Sequence, residues 1–267
     1  MTTKKLIVVA LILIIGVLSS ISTNIYADPV KKVAIIIDDL GNGMKGTEEI
    51  LNLPTKVNVA IMPFLPTTKR DAELAHQKGI DILVHMPMEP NTGRSNWLGP
   101  GAITADLSDE EVRSKVEAAI DNVPYAIGMN NHMGSKITKD RRIMSIVLDV
   151  CKERGLFFVD SKTDYQSVVS ELALQKGLPP IENEIFLDDH RTAKHISGQM
   201  KLIEKMLEKQ DTCVTIGHVG AAGPLTADVI RDSVTRWSGK IETISISEMV
   251  NQVWKWDRDN HLPTNNK

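Results

Sequence analysis

From Lys32 onward the sequence alternates between short apolar runs and helical patterns, and this alternation limits the fold more than any other feature. The apolar runs are rich in β-branched residues and read KVAIII, VNVAIM, DILVH, YAIGM, LFFV, EIFL, CVTIG and IETIS. Most of them precede a segment with helical spacing of its apolar residues. Helices are predicted over residues 67–78, 108–121, 140–154, 163–176, 192–209, 226–237 and 246–254. Strands that alternate with helices in this way form parallel sheets, so the pattern predicts an α/β fold.

The predicted architecture is a distorted (β/α) barrel with seven or eight parallel strands. No glycine-rich dinucleotide fingerprint follows the first strand, which favours a barrel over an open doubly wound sheet. No linker divides the chain, so residues 28–256 are predicted to form one domain, followed by a polar tail at 257–267. Local signals support the helix limits: SDEE at 108–111 has the pattern of a capping box, and Thr226 is predicted as an N-cap.

The first 27 residues form a separate segment. Two lysines precede a long apolar run, and Ala27 follows as a plausible cleavage position, which is the pattern of a secretory signal. If the segment is not cleaved, it would attach the protein to a membrane. The domain is therefore predicted to be exported, to an extracellular, periplasmic or cell-surface location. A net charge of −3 with mixed signs along the chain predicts no nucleic-acid partner.

Polar side chains that can bind ions or protons follow most of the predicted strands. They are Asp38, Asp39, His85, Asn130, Asn131, His132, Asp160, Asp188, Asp189 and His218. The carboxyl ends of the strands in a β/α barrel form a single rim, so these residues are expected to converge. A carboxylate with two imidazoles suits Zn²⁺ or a similar divalent ion, with positions left for water and substrate.

The adjacent aspartates in IIIDDLG, Asp38 and Asp39, could have separate roles in such a site. One can bind the metal while the other acts as a general base, and His218 could donate a proton to a leaving group. Taken alone, the dipeptide could equally be a helix N-cap beside a solvated carboxylate.

Six motifs, IIIDDLG, VHMPMEP, NNHMGS, VDSKT, FLDD and IGH, occur in the order and spacing of the divergent polysaccharide deacetylase family, which residues 32–252 resemble. The resemblance implies a distorted β/α barrel with Asp38 as the base, Asp39 as a metal ligand and His218 as the catalytic acid. The wider superfamily has two histidines four residues apart as the other ligands. Here His85 keeps the first position but Glu89 occupies the second, so His132 is expected to be the third ligand, with Glu89 as the alternative.

Several other residues have two interpretations each. Asn131 and Asp160 could orient His132 or His218, or they could cap local structure. Trp97 could stack on a sugar ring or anchor a loop. The cluster Asp188, Asp189 and His190 could bind a second metal, although an N-cap for the following helix is favoured.

These features together predict an exported, metal-dependent hydrolase that removes acetyl groups from the N-acetylated sugars of a cell-wall or extracellular polysaccharide. One divalent ion, with zinc as the expected metal, would be the cofactor, and a polysaccharide or oligosaccharide the partner. Two alternatives remain open from the sequence: a two-metal phosphoesterase-type hydrolase, and a non-catalytic glycan-binding module on a deacetylase-like barrel.

Overall fold

A computed structural model describes residues 30–93, 97–237 and 239–256. The predicted signal segment at 1–27 and the predicted tail at 257–267 lie outside the described residues. Within the described ranges, no helix has the length and apolar character needed to cross a membrane.

In the described part of the chain, nine strands form one sheet, and every pair of neighbouring strands is parallel. The strands are β1 Lys31–Leu40, β2 Asn58–Ile61, β3 Asp81–Met88, β4 Gly128–Met133, β5 Phe157–Asp160, β6 Ile181–Glu182, β7 Ile185–Phe186, β8 Thr212–His218 and β9 Ile241–Thr243. Their order is β6-β5-β4-β3-β2-β1-β8-β7, and β9 pairs with the start of β1.

The two edge strands of this order are consecutive in the sequence. Between β6 and β7, the Asn183 N–H donates to the Asp160 carbonyl at 2.8 Å, and the Glu184 N–H donates to the Val214 carbonyl at 2.9 Å. One short run therefore pairs first with β5 and then with β8, so the sheet curls back towards itself. This confirms the predicted distorted β/α barrel. The predicted sixth strand, EIFL, is shortened to the two residues of β7, and the two-residue strand β6 that precedes it was not predicted.

Eight helices connect the strands within the described ranges. They are α1 Thr47–Leu51, α2 Thr68–Gln77, α3 Asp109–Asn122, α4 Arg141–Glu153, α5 Val169–Lys176, α6 Ala193–Leu207, α7 Gly223–Trp237 and α8 Ile246–Trp254, with a 3₁₀ turn at Ile137–Lys139. All seven predicted helices are present, and the capping box at Ser108 is confirmed. Helix α1 was not predicted. Helix α5 begins six residues after its predicted start at 163.

The predicted N-cap role of Thr226 is wrong. Helix α7 begins at Gly223, so Thr226 lies inside the helix, where its side chain is fully buried. Pro224 lies at the second helical residue, and a proline in the first turn has no N–H that needs an intrahelical partner. The proline is thus compatible with the earlier start.

Strand β1 lies at the centre of the sheet and is buried on both faces. Ile35, Ile36 and Ile37 have no solvent exposure. Burying each such side chain contributes about 1.5–3 kcal/mol. The sheet is parallel and covered by helices, which explains the continuous apolar run ahead of the two aspartates.

The loops that follow β1 and β8 pack directly against each other. Gly46 has a left-handed φ of 89°, and a Cβ at this position would lie 2.4 Å from the carbonyl carbon of Gly223. The Gly220 N–H donates to the Lys45 carbonyl at 2.8 Å. This contact requires glycine, and it fixes the carboxyl end of β1 relative to that of β8.

Candidate active site

The strand end at Asp38 and Asp39 departs from regular strand geometry. Asp39 has a left-handed φ of 70°, and the register between β1 and β2 shifts between Ile37 and Leu40. Successive side chains of a regular strand point to opposite faces. The irregularity lets both carboxylates approach His85, whose Nδ1 lies 3.6 Å from Asp38 Oδ2 and whose Nε2 lies 3.2 Å from Asp39 Oδ1.

Three atoms from three strands form a compact triangle. Asp39 Oδ1 lies 3.2 Å from His85 Nε2 and 3.1 Å from His132 Nδ1, and the two nitrogens lie 3.1 Å apart. Among the described residues, Asp39, His85 and His132 are the one group of three or more histidine, cysteine, aspartate or glutamate side chains whose donor atoms lie close enough together to hold a metal ion.

The triangle has the chemistry and spacing of a metal site. Asp39 Oδ1 is buried and makes no well-aligned hydrogen bond within the described structure. Ligands at about 2.0–2.1 Å from a tetrahedral zinc ion lie about 3.3 Å apart, close to the observed separations. A carboxylate oxygen and two imidazole nitrogens are also a donor set that zinc accepts. The residues present therefore fit a divalent cation.

Hydrogen bonds on the far side of each imidazole orient the two histidines. His85 Nδ1 lies 2.8 Å from Asn130 Oδ1, and His132 Nε2 lies 3.2 Å from the backbone carbonyl of Trp97. Both partners are acceptors, so each ring places its proton on that nitrogen. The other nitrogen of each ring then directs its lone pair into the triangle, as a metal ligand must.

The pKa values of the carboxylate and imidazole in the triangle follow from their mutual contact. Burial alone would raise the pKa of Asp39, but the neighbouring His132 and His85 outweigh burial and hold this pKa well below its usual range. Burial would lower the pKa of His85, and the negative Asp38 and Asp39 outweigh that effect and raise it. Asp39 is therefore ionised, as a metal ligand needs to be.

Asp38 lies beside the triangle in a different environment. Its carboxyl group is buried and accepts a hydrogen bond from Asn130 Nδ2 at 2.9 Å on Oδ1. Burial raises the pKa of Asp38 above its usual range, although His85 and His218 act in the opposite direction. A carboxylate with a raised pKa is suited to accept a proton.

His218 approaches from the next strand, because the parallel register of β1 and β8 places it opposite Asp38. Its Nδ1 lies 2.7 Å from Asp188 Oδ1, and its backbone N–H donates to Asp188 Oδ2 at 2.8 Å. Thr226 Oγ1 donates to the same oxygen at 2.8 Å. Burial would lower the pKa of His218, but the hydrogen bond to Asp188 and the negative charge of Asp38 outweigh it and raise the pKa to about 9.

The favoured prediction for Asp188, an N-cap of the next helix, is wrong. The N-cap of α6 is Thr192, whose side chain accepts from the His195 N–H. Asp188 instead lies next to β8, because the short strand β7 pairs with β8 immediately before it. Asp189 contacts His195, so the predicted second cluster of Asp188, Asp189 and His190 does not converge as a metal site in the described structure.

Glu89, the alternative third ligand, faces away from the triangle. Its Oε1 accepts from Lys136 Nζ at 2.6 Å, and its Oε2 accepts from the Ala105 N–H at 2.8 Å. The bond to Ala105 joins the start of the long loop after β3 to its later part, and the bond to Lys136 links the start of this loop to the segment after β4. Glu89 therefore serves loop geometry, and the structure brings His132 to the ligand position instead.

The remaining predicted residues surround the site. Asn131 accepts from the Ser161 N–H at 2.9 Å and donates to the Met133 carbonyl at 2.7 Å, so its side chain joins the ends of β4 and β5. Asp160 accepts from the Lys162 N–H at 2.8 Å, and burial raises its pKa. The Trp97 side chain is 57% exposed, while its backbone carbonyl contacts His132.

The sequence alone predicts no specific role for Asn130. It also does not predict that Asp188 and Thr226 lie near His218. Asn130 was visible only as one of several polar residues after the fourth strand. The contacts of Asp188 and Thr226 depend on the register of strands two residues long, which no periodic signal reveals. For Thr226, the nearby Pro224 was the available signal that the helix starts earlier.

A curled parallel β/α barrel with polar residues at the carboxyl ends of its strands is the fold of the polysaccharide deacetylase class. The chain belongs to the divergent polysaccharide deacetylase family, whose sequence profile matches residues 35–250. The expected family membership is thus confirmed.

Two curated proteins are similar to this chain. An uncharacterized protein of Haemophilus influenzae is 35% identical over 187 residues, which are 70% of this chain and 66% of that protein. The uncharacterized protein YibQ of Escherichia coli K12 is 30% identical over 221 residues, which are 83% of this chain and 68% of that protein. The chain thus spans about two thirds of the length of these relatives.

Solved structures show the same fold. An uncharacterized protein from Agrobacterium tumefaciens superposes with a TM-score of 0.76 at 19% identity, covering 84% of this chain and 91% of that one. The Xyl-CE4 domain of a multidomain xylanase from the hindgut metagenome of Trinervitermes trinervoides superposes with a TM-score of 0.52 at 10% identity. This match also covers 84% of this chain and 91% of that one.

Proposed function

We propose that this protein is a metal-dependent hydrolase that removes acetyl groups from N-acetylated sugars of a cell-wall or extracellular polysaccharide. The observation that carries the proposal is the triangle of Asp39, His85 and His132 with a buried carboxylate, Asp38, beside it and an Asp-paired histidine, His218, opposite. These groups supply a metal site, a base and an acid within one rim.

The proposed reaction breaks the amide C–N bond and yields acetate and a free amine. A divalent ion held by the triangle would polarise the acetyl carbonyl and lower the pKa of the attacking water. Asp38 would accept the proton of that water on Oδ2, because its Oδ1 is held by Asn130. We assign the metal as zinc on the basis of the donor set.

His218 would complete the reaction as the acid. A pKa of about 9 keeps its imidazole protonated at neutral pH. Its Nδ1 is engaged by Asp188, so Nε2 is the atom free to give a proton to the departing amine. After turnover, His218 would be neutral and Asp38 protonated, and exchange with solvent would restore both.

The proposed substrate is outside the cytoplasm. Residues 1–27 have the pattern of an export signal. In the donor triangle, the side chains of Asp39 and His132 are partly exposed, so a substrate could reach the site from solvent. The exposed Trp97 side chain lies beside this rim and offers a face on which a sugar ring could stack.

The test is to load the protein with zinc and incubate it with short β-1,4-linked oligomers of N-acetylglucosamine. Released acetate and new free amines are measured for the wild type and for Asp38→Asn. We expect both proteins to hold one zinc ion and only the wild type to form product. Zinc-loaded wild type that binds the oligomers without releasing acetate would favour a glycan-binding module, and loss of zinc in Asp38→Asn would make Asp38 a ligand.

A further inference from the structure

We propose that Asn130 is a positioning residue whose single buried amide sets both the metal ligand His85 and the base Asp38. The part of this inference that concerns the base rests on the proposed function. The part that concerns the ligand rests on the geometry of the triangle alone.

The two sides of the amide contact the two residues separately. Asn130 Oδ1 lies 2.8 Å from His85 Nδ1, and Asn130 Nδ2 donates to Asp38 Oδ1 at 2.9 Å. The parallel register of β3 and β4 places Asn130 directly beside His85. Asn130 has no solvent exposure, so water cannot replace either bond without a rearrangement.

The orientation of this amide is fixed by its neighbours. A carboxylate only accepts hydrogen bonds, so the NH₂ group must face Asp38. The carbonyl oxygen is then left to face His85, which must donate from Nδ1. The opposite orientation would set the amide oxygen against the Asp38 carboxylate, two acceptors in contact. Asp38 thus determines, through Asn130, that His85 carries its proton on Nδ1, which leaves the lone pair of Nε2 towards Asp39.

The same contacts leave each partner with one defined free atom. His85 presents the lone pair of Nε2 to the triangle, 3.2 Å from Asp39 Oδ1. Asp38 has Oδ1 occupied by the amide. Asn130 would therefore act on metal affinity through His85 and on turnover through Asp38, without contacting metal or substrate.

The first experiment compares Asn130→Ala with a matched control, Asn58→Ala, in the full chain. Asn58 is also fully buried and uses both sides of its amide, donating to the Ile35 carbonyl at 2.9 Å and accepting from the Ile246 N–H at 2.7 Å. It begins β2, at the opposite ends of the strands from the triangle. Zinc affinity is measured by competition with a chromophoric chelator. We expect Asn130→Ala to bind zinc about 10–100-fold more weakly and Asn58→Ala to stay within about threefold of wild type.

A second variant separates the two halves of the amide. In Asn130→Asp the side chain can still accept from His85, but an oxygen replaces the amide N–H that faces Asp38. The two buried carboxylates must then share a proton, so Asp38 no longer accepts one as it does in the wild type. We expect zinc affinity within about threefold of wild type, together with a kcat of the zinc-saturated enzyme at least about tenfold lower and a nearly unchanged KM.

The outcomes distinguish this inference from the proposed function. Wild-type zinc affinity in Asn130→Ala, or an equal loss in Asn58→Ala, would overturn the assignment to His85. Full kcat in zinc-saturated Asn130→Asp would overturn the assignment to Asp38. If zinc-loaded wild type forms no product, the proposed function fails, while the zinc affinities still decide the role of Asn130 towards His85.

Discussion

Replacing Asp188 with asparagine should remove the proton that His218 carries at mildly alkaline pH. Asp188 receives three donors: His218 Nδ1 on Oδ1, and the His218 backbone N–H and Thr226 Oγ1 on Oδ2. An amide has only one acceptor oxygen, so its NH₂ group must face one of these groups. If the NH₂ group faced the His218 backbone N–H, that buried N–H would lose its acceptor, at a cost of about 1–3 kcal/mol.

The less costly orientation points the NH₂ group at His218 Nδ1. The ring must then accept at Nδ1, which only a neutral imidazole can do. The pKa of His218 should therefore fall from about 9 to its usual value or below. At pH 8 the protonated fraction would drop from about 0.9 to about 0.03 with a pKa of about 6.5, so an activity that needs the acid form should fall about 30-fold.

Two assays report this change. The alkaline limb of kcat/KM against pH, measured with zinc-saturated enzyme, should move from about pH 9 to about pH 6.5 or below. A proton NMR titration of the His218 ring should give the same midpoint without substrate. Thr226→Val is the control, because it removes one donor to Asp188 and keeps the bond to the ring. An alkaline limb that stays near pH 9 in Asp188→Asn would refute the role given to Asp188.

Two further predictions concern the loops around the site. Glu89→Gln should leave the zinc content unchanged and lower the free energy of unfolding by no more than about 1 kcal/mol, because its ion pair with Lys136 is partly exposed to solvent. Elemental analysis and urea unfolding check this, and loss of zinc would make Glu89 a ligand after all. Gly46→Ala should destabilise the fold by about 2–5 kcal/mol, since its left-handed φ and a Cβ 2.4 Å from the start of α7 both oppose a side chain. Gly198→Ala, inside α6 with open space around its Cβ, should instead stabilise by about 0.5–1 kcal/mol, and equal urea midpoints for the two variants would contradict the packing argument.

Much of the barrel could be predicted from the sequence because its local signals agree with its global fold. The apolar run before Asp38 is continuous because β1 is covered on both faces. Helices such as α3 carry their own start signals, and Ser108 caps α3 as expected. Topology also predicts that Asp39, His85 and His132 lie near one another, since the carboxyl ends of parallel strands share one rim.

The parts that could not be predicted depend on geometry that spacing does not encode. The left-handed φ of Asp39 places both carboxylates near His85, and the amino-acid sequence of the dipeptide does not predict this backbone conformation. Glu89 and His132 are both chemically acceptable ligands, and the contacts of Glu89 with Lys136 and the Ala105 N–H, which sequence spacing does not encode, direct the glutamate elsewhere. Asp188 could not be assigned to His218, because that pairing depends on the register of the two-residue strand β7.

The most direct test of the central claim is the zinc content of the purified protein by elemental mass spectrometry, compared between the wild type and His132→Ala. The donor triangle predicts one zinc ion per chain in the wild type and none retained by His132→Ala after dialysis. Zinc retained by His132→Ala, or no zinc in the wild type even after loading, would contradict the assignment of Asp39, His85 and His132 as the metal site.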